Sequence, residues 1–166
     1  MDADAKKTAL RMIPYGIYVL TVEDGDAIAA ATVNWVTQTS FNPPLLAIGM
    51  KADSGAYALV KKKRSFVLNM LGKGQQGAAF AFFKPAQKEG DKISGEPYRK
   101  AGNGHPILTS AHASVECSVV EIVEKGDHHI VIAEVTEANV AKAPEGRADA
   151  AILEMKDLGA NVFYGG

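Results

Sequence analysis

The stretch from Ala31 to Lys51, ATVNWVTQTSFNPPLLAIGMK, limits what this chain can fold into more than any other. It starts as a strand, breaks into a polar loop, passes Pro43 and Pro44, and resumes as an apolar strand. Each proline fixes φ and removes an N–H donor, so no regular ladder runs through the pair. The middle of the stretch concentrates Thr32, Asn34, Thr37, Gln38, Thr39 and Ser40 beside Trp35 and Phe41. Short hydroxyl and amide side chains held between two core strands can grip a polar, ring-shaped ligand. They can equally form a Ser/Thr-rich connection that binds nothing, and the residues alone leave both readings open.

The flanking sequence predicts strands joined by tight turns. Residues 14–22 and 27–35 read as a pair linked through Glu23-Asp24-Gly25-Asp26, where Asp-Gly between apolar runs signals a hairpin. Gly16 and Ala27, Ala29, Ala30 and Ala31 leave one surface with little bulk, suited to a flat ring or to close packing. Residues 44–50 give a third strand. Asp53 or Ser54 then caps a helix over 54–63, closed by Lys61, Lys62, Lys63 and Arg64. Residues 65–71 read as a fourth strand. The following Gly72-Lys73-Gly74-Gln75-Gln76-Gly77 spells G-x-G-x-x-G before an apolar, helix-like run. That fingerprint requires a βαβ unit, and hairpins lie on both sides, so it reads as a glycine-rich loop opening a helix. Residues 84–104 form a long irregular loop with Lys84, Lys88, Lys92, Arg99 and Lys100. Residues 112–124 and 128–140 are long strands joined at Lys125-Gly126-Asp127, with a phase switch near Val120 that predicts a bulge. Residues 141–151 read as a loop with a short turn, and 152–155 and 161–164 as short final strands. Short strands, hairpins and the absence of a βαβ rhythm predict a mainly β chain, a closed antiparallel barrel with one or two small helices.

Composition narrows the function. With 166 residues and a net charge of −1, the chain is long enough for one domain with a real core, spanning 1–166, and has no electrostatic drive toward nucleic acid or an anionic membrane. Its single cysteine, Cys117, excludes an internal disulfide and sits on the apolar side of its strand as a structural thiol. No secretory signal and no apolar run near the ~20 residues of a membrane span is visible, so a cytoplasmic location is expected. His128 and His129 are adjacent on a strand and point to opposite faces, and no metal-ligand spacing occurs.

The run TVNWVTQTSFNPPLLAIGM resembles the cofactor-binding segment of the flavin reductase-like family, the FMN-binding split β-barrel flavoproteins. The resemblance continues through KADSGAYALV, SFVLNML, GDHHIVIAEV and LGANVFYGG, nearly the whole chain. It implies a split β-barrel of antiparallel strands that binds FMN. It places phosphate contacts at Thr37, Gln38, Thr39, Ser40, Lys51 and Ser54, with the start of the helix adding a favourable dipole. Ser54 also reads as an ordinary N-cap. Thr32, Val33, Asn34 and Trp35 are expected around the isoalloxazine ring, although Trp35 could simply fill core. Asp91-Lys92-Ile93 resembles an Asp-(Lys/Arg)-Phe element that approaches the flavin in relatives, with Ile93 in place of the aromatic residue. Gly126-Asp127-His128 matches a Gly-Asp-His element whose histidine lies near flavin and nicotinamide, which makes His128 the candidate catalytic residue; a surface turn histidine is the alternative.

The implied activity is hydride transfer from NADH or NADPH to FMN. That reaction needs stacked rings about 3.5 Å apart and exclusion of water more than an acid or base. A barrel this small implies a site completed by a second copy, hence a homodimer. A non-enzymatic FMN electron carrier of the flavoredoxin type, reduced by a protein partner, is the other implied role, and a flavin-free ligand-binding barrel is a third reading.

Overall fold

The computed structural model describes residues 1–166. Helix α1 (Ala3–Arg11) leads into β1 (Tyr18–Asp24), β2 (Ala27–Val33), β3 (Val36–Ser40) and β4 (Leu45–Lys51). Helix α2 (Gly55–Lys63), β5 (Ser65–Met70) and α3 (Gln76–Ala81) follow. Short strands β6 (Lys88–Glu89), β7 (Lys92–Ile93), β8 (Glu96–Lys100) and β9 (Pro106–Leu108) precede the long pair β10 (Ala113–Val123) and β11 (His128–Val140). One turn of helix, α4 (Ala148–Ala151), and a 3₁₀ turn at Met155–Leu158 end the regular structure. No helix is long and apolar enough to cross a membrane.

The main sheet has seven strands in the order β2-β1-β5-β10-β11-β4-β3, all paired antiparallel. Its two edges are consecutive in sequence, because β2 ends at Val33 and β3 begins at Val36. A flat seven-stranded sheet would separate its edges by roughly 29 Å, yet three Cα steps span at most about 11 Å. The sheet therefore has to roll up until β2 and β4 lie close. No ladder joins β2 to β3, so the barrel expected to be closed is split along this line. Hydrogen bonding ends there because Asn34 and Trp35 carry the chain directly across the gap.

Two apolar clusters occupy the two faces of the sheet. Leu20, Val22, Ile48, Phe66, Leu68 and Val131 fill the interior under Ala56, Tyr57 and Val60 of α2. Ile17, Val19, Ala30 and Leu71 face outward and are covered by Ala78, Ala79 and Phe82 of the α3 region, with Ile93, Leu108 and Leu153. Strands β1 and β5 are thus buried on both faces, which explains their nearly continuous apolar sequences. Buried Thr21 and Asn69 dock the smaller sheet, β6-β7-β8-β9, onto them. Thr21 Oγ1 donates to the Pro106 carbonyl at 2.6 Å, and Asn69 accepts from Leu108 N while donating to the Val19 carbonyl, both at 2.9 Å.

Several expectations hold and others need correction. Both hairpins form; the first turns at Gly25 with φ 60°, and the β10–β11 ladder slips between Val119 and Glu121, at the predicted bulge. Ser54 is the N-cap of α2, its Oγ accepting from Tyr57 N at 3.1 Å. The polar stretch before the prolines is largely strand β3, because its backbone pairs with β4. The long segment 84–104 carries the strands of the smaller sheet, recruited by burial of Ile93 and Leu108. The final strands shrink to isolated bridges, Gly16 with Glu154 and Gly72 with Ile152, and 161–164 is not a strand. The glycine-rich fingerprint is structural: Gly72 N donates to the Gln75 side chain at 2.7 Å, and a Cβ on Gly72 would overlap the His112 ring.

Candidate functional site

A cleft of about 480 Å³ opens at the split. One wall is the end of β2, residues Ala31, Thr32, Val33 and Asn34. The opposite wall is Gly49, Met50 and Lys51 of β4, running into Ser54 at the start of α2. Phe82, Phe83, Val162, Phe163 and Tyr164 supply most of the remaining surface. The cleft therefore exists because rolling the sheet brings β2 against β4 without pairing them. Its volume lies in the range of small-molecule and cofactor sites.

The polar groups divide into spent and unspent. Thr32 is spent on the fold: its Oγ1 donates to the Ala79 carbonyl at 2.7 Å and its N–H to the Phe82 carbonyl at 3.3 Å, tying the α3 region to β2. Asn34 is 5 % exposed, and its Nδ2 donates to the Tyr164 carbonyl at 3.1 Å, leaving Oδ1 free of any partner in the chain. The Ser54 Oγ accepts a capping bond, but its O–H remains available to donate. Lys51 pairs with Asp53 at 3.0 Å; hydrogen bonding to Asp53 raises the Lys51 pKa, and the same bond lowers that of Asp53. A cationic lysine and the first-turn N–H groups of a nine-residue helix thus meet at one end of the cleft, an arrangement that favours an anion.

Trp35 and His128 adjoin the cleft through Tyr164. The Trp35 ring lies 4.5 Å from the His128 ring and 5.6 Å from that of Tyr164, centroid to centroid. His128 Nδ1 bonds Asp127 Oδ1 and its Nε2 bonds the Tyr164 hydroxyl, both at 2.8 Å. The hydrogen bond from His128 holds the Asp127 carboxyl below its usual range, and burial raises the Tyr164 phenol. His129 points the other way and meets the Tyr57 hydroxyl at 2.6 Å, as the strand alternation requires.

Of the residues expected at the site, Thr32, Val33, Asn34, Lys51 and Ser54 share the cleft, with Trp35 and His128 behind Tyr164. Thr37, Gln38, Thr39 and Ser40 do not line it. They lie on edge strand β3, where Gln38 Nε2 donates to the Ser40 carbonyl at 3.1 Å. Lys92 is exposed on β7, also away from the cleft, while its neighbour Ile93 is wholly buried in the core. Of the other basic residues in that segment, Lys88 and Lys100 pair with Glu23. Phe82, Phe83 and the segment 162–164 escaped the sequence reading as cleft residues. Apart from the aromatic character of the phenylalanines and Tyr164 nothing marked them, since their approach to β2 is wholly tertiary. No cluster of His, Cys, Asp or Glu could hold a metal ion.

The fold and the cleft define a split antiparallel β protein whose cleft ends in groups that suit an anion. Comparison with known proteins narrows this class. Residues 10–156 match the model of the flavin reductase like domain. Diflavin flavoprotein A 1 of Synechocystis sp. is 37% identical over 144 residues, covering 86% of this chain but 25% of its own length. The chain thus spans about a quarter of the diflavin flavoproteins it matches. A flavin reductase of Pseudomonas putida is 33% identical over 141 residues, covering 84% of this chain and 81% of its own. Among solved structures, the styrene monooxygenase flavin reductase of Pseudomonas putida superposes with a TM-score of 0.70 at 26% identity, over 84% of this chain and 87% of that one. The chain belongs to the flavin reductase-like family.

Proposed function

We propose that this chain is a flavin-binding oxidoreductase that holds FMN in the split and reduces it with NADH or NADPH. The observation that carries the reading is the cleft itself, which joins Asn34 on β2, Lys51 on β4 and Ser54 at the helix start in a member of this family. The residues fit the cofactor chemically. Lys51, the Ser54 hydroxyl and the N-terminus of α2 suit the phosphate. The unspent Asn34 Oδ1 offers an acceptor to a ring N–H, and the backbone of Val33, Asn34 and Trp35 supplies further polar groups. Thr32 contributes by fixing α3 against the cleft wall. The bound flavin supplies the hydride and electron chemistry. The aromatic walls Phe82, Phe83 and Phe163 would flank the rings. His128, bonded to the Tyr164 hydroxyl, is the residue that would act near a bound nicotinamide. Thr37, Gln38, Thr39, Ser40 and Lys92 enter this reading as contacts to parts of a ligand that leave the cleft, or to a second copy that completes the site.

Anaerobic addition of NADH or NADPH to the FMN-loaded chain tests this reading. Bleaching of the flavin band on a catalytic timescale, faster with one nucleotide than the other, is expected. The second reading, an electron carrier of the flavoredoxin type, draws support from the diflavin flavoproteins, in which this domain is a quarter of a longer chain. Slow bleaching by both nucleotides with rapid reduction by a small redox protein would favour the carrier. Absence of FMN binding would remove both.

A further inference from the structure

The segment after Leu158 has no secondary structure beyond a turn, yet it makes side-chain hydrogen bonds to Asn34 of the cleft and to His128 behind it. Tyr164 reaches three site residues at once. Its carbonyl accepts from Asn34 Nδ2, its hydroxyl meets His128 Nε2, and its ring packs on Trp35. Two features hold it there. The Arg11 guanidinium lies 4.0 Å over the Phe163 ring, and a Cβ on Gly165 would lie 3.6 Å from Trp35 Nε1, so the backbone rests directly on the indole.

Each contact has a chemical consequence. A carbonyl only accepts, so the bond to Tyr164 assigns the Asn34 amide: Nδ2 turns to the tail, and Oδ1 is left to the cleft as an acceptor. A carboxylate also only accepts, so Asp127 places a hydrogen on His128 Nδ1. In the neutral ring Nε2 then holds a lone pair, and the Tyr164 O–H donates to it. The Tyr164 phenol is protonated at neutral pH and so remains a donor, and burial raises its pKa further.

We propose that Tyr164 is a positioning residue of the flavin cleft: its carbonyl makes Asn34 an acceptor toward the ligand, and its hydroxyl, donating to Nε2, acts together with Asp127 to hold His128 in the Nδ1–H form. The ligand class selected is a flat heterocycle with an imide N–H, such as the N3–H of an isoalloxazine. The inference rests on the proposed flavin site for its ligand and on the chain alone for the histidine.

Two measurements test it. In the flavin-free full chain, long-range ¹H–¹⁵N spectra of the imidazoles should show His128, assigned with His128→Gln, protonated at Nδ1. Tyr164→Phe should shift it toward a mixture of tautomers. An Nε2–H ring in the parent chain, or an unchanged ring in Tyr164→Phe, would overturn the role of the hydroxyl. The second measurement compares FMN with N3-methyl FMN. The parent chain and Tyr164→Phe, which keeps the ring on Trp35, should both prefer FMN by at least about tenfold. Tyr164→Gly, which frees the tail from Trp35, should bring the ratio close to one. Equal binding of the two flavins by the parent chain, or a Tyr164→Gly variant that weakens both flavins with the ratio intact, would overturn the Asn34 assignment. Failure of FMN to bind at all would sink the flavin reading, while the histidine spectra would still decide the hydroxyl.

Discussion

Cys117 shows how burial sets chemistry at a single residue. It lies on β10 inside the sheet, 1 % exposed, and burial pushes its thiol up to about 12. At pH 8 only about one chain in ten thousand would carry a thiolate at a pKa that high. The folded chain should therefore resist a thiol reagent that labels one cysteine per chain in denaturant. Labelling of the folded chain at the rate of a free thiol would show that the site opens. The same contrast separates the histidines. His105 is buried, its Nδ1 accepting from Glu23 N and its Nε2 meeting Ser65 Oγ, and burial lowers its pKa. With Nδ1 accepting, the neutral ring carries its hydrogen on Nε2 and donates to Ser65, so it cannot act as that serine's base. His128 alone is wired to a residue of the cleft.

At the scale of an element, α2 serves both fold and site. Its apolar side, Ala56, Tyr57 and Val60, closes the barrel interior, while its N-terminus opens on the cleft. Its basic end is a set of ion pairs, Lys61 with Glu124 and Lys62 and Lys63 with Asp24. Ser54 can be tested in both roles. Ser54→Ala should cost about 1 kcal/mol of stability through the lost cap, a fall of roughly 2–4 °C in Tm. Ser54→Asp keeps a good cap and adds a negative charge, so it should leave Tm nearly unchanged while weakening FMN more than tenfold and riboflavin much less. If FMN and riboflavin weaken equally, Ser54 is a cap and the phosphate lies elsewhere.

At the scale of the molecule, the rolled sheet leaves an unpaired edge on β3, and the Phe41 ring just beyond it is 92 % exposed. Covering one such ring is worth about 2 kcal/mol. A second copy that completes the site should bury this edge, so light scattering should give twice the chain mass. Phe41→Asp should lower the mass toward that of one chain without altering the far-UV circular dichroism. A parent chain that is monomeric at micromolar concentration and still binds FMN would exclude a shared site.

The local patterns were decisive where neighbours in sequence do the work. The Asp24-Gly25 turn, the cap at Ser54, the bulge near Val120 and the opposite facing of His128 and His129 are all short-range matters of backbone and period. The motif Thr32 to Met50 was enough to point to the family, and three of its expected contacts, Thr32, Val33 and Asn34, share the cleft with Lys51 and Ser54. Tertiary structure decided which of these groups are free. Thr32 is consumed by α3, β3 is drawn away from the cleft by its ladder with β4, and Ile93 is taken by the core. Tyr164 had no local signal, since the bonds that give it a role reach back 130 residues to Asn34 and 36 to His128. A hydrogen bond is a property of two groups meeting, and only the rolled sheet determines which groups meet.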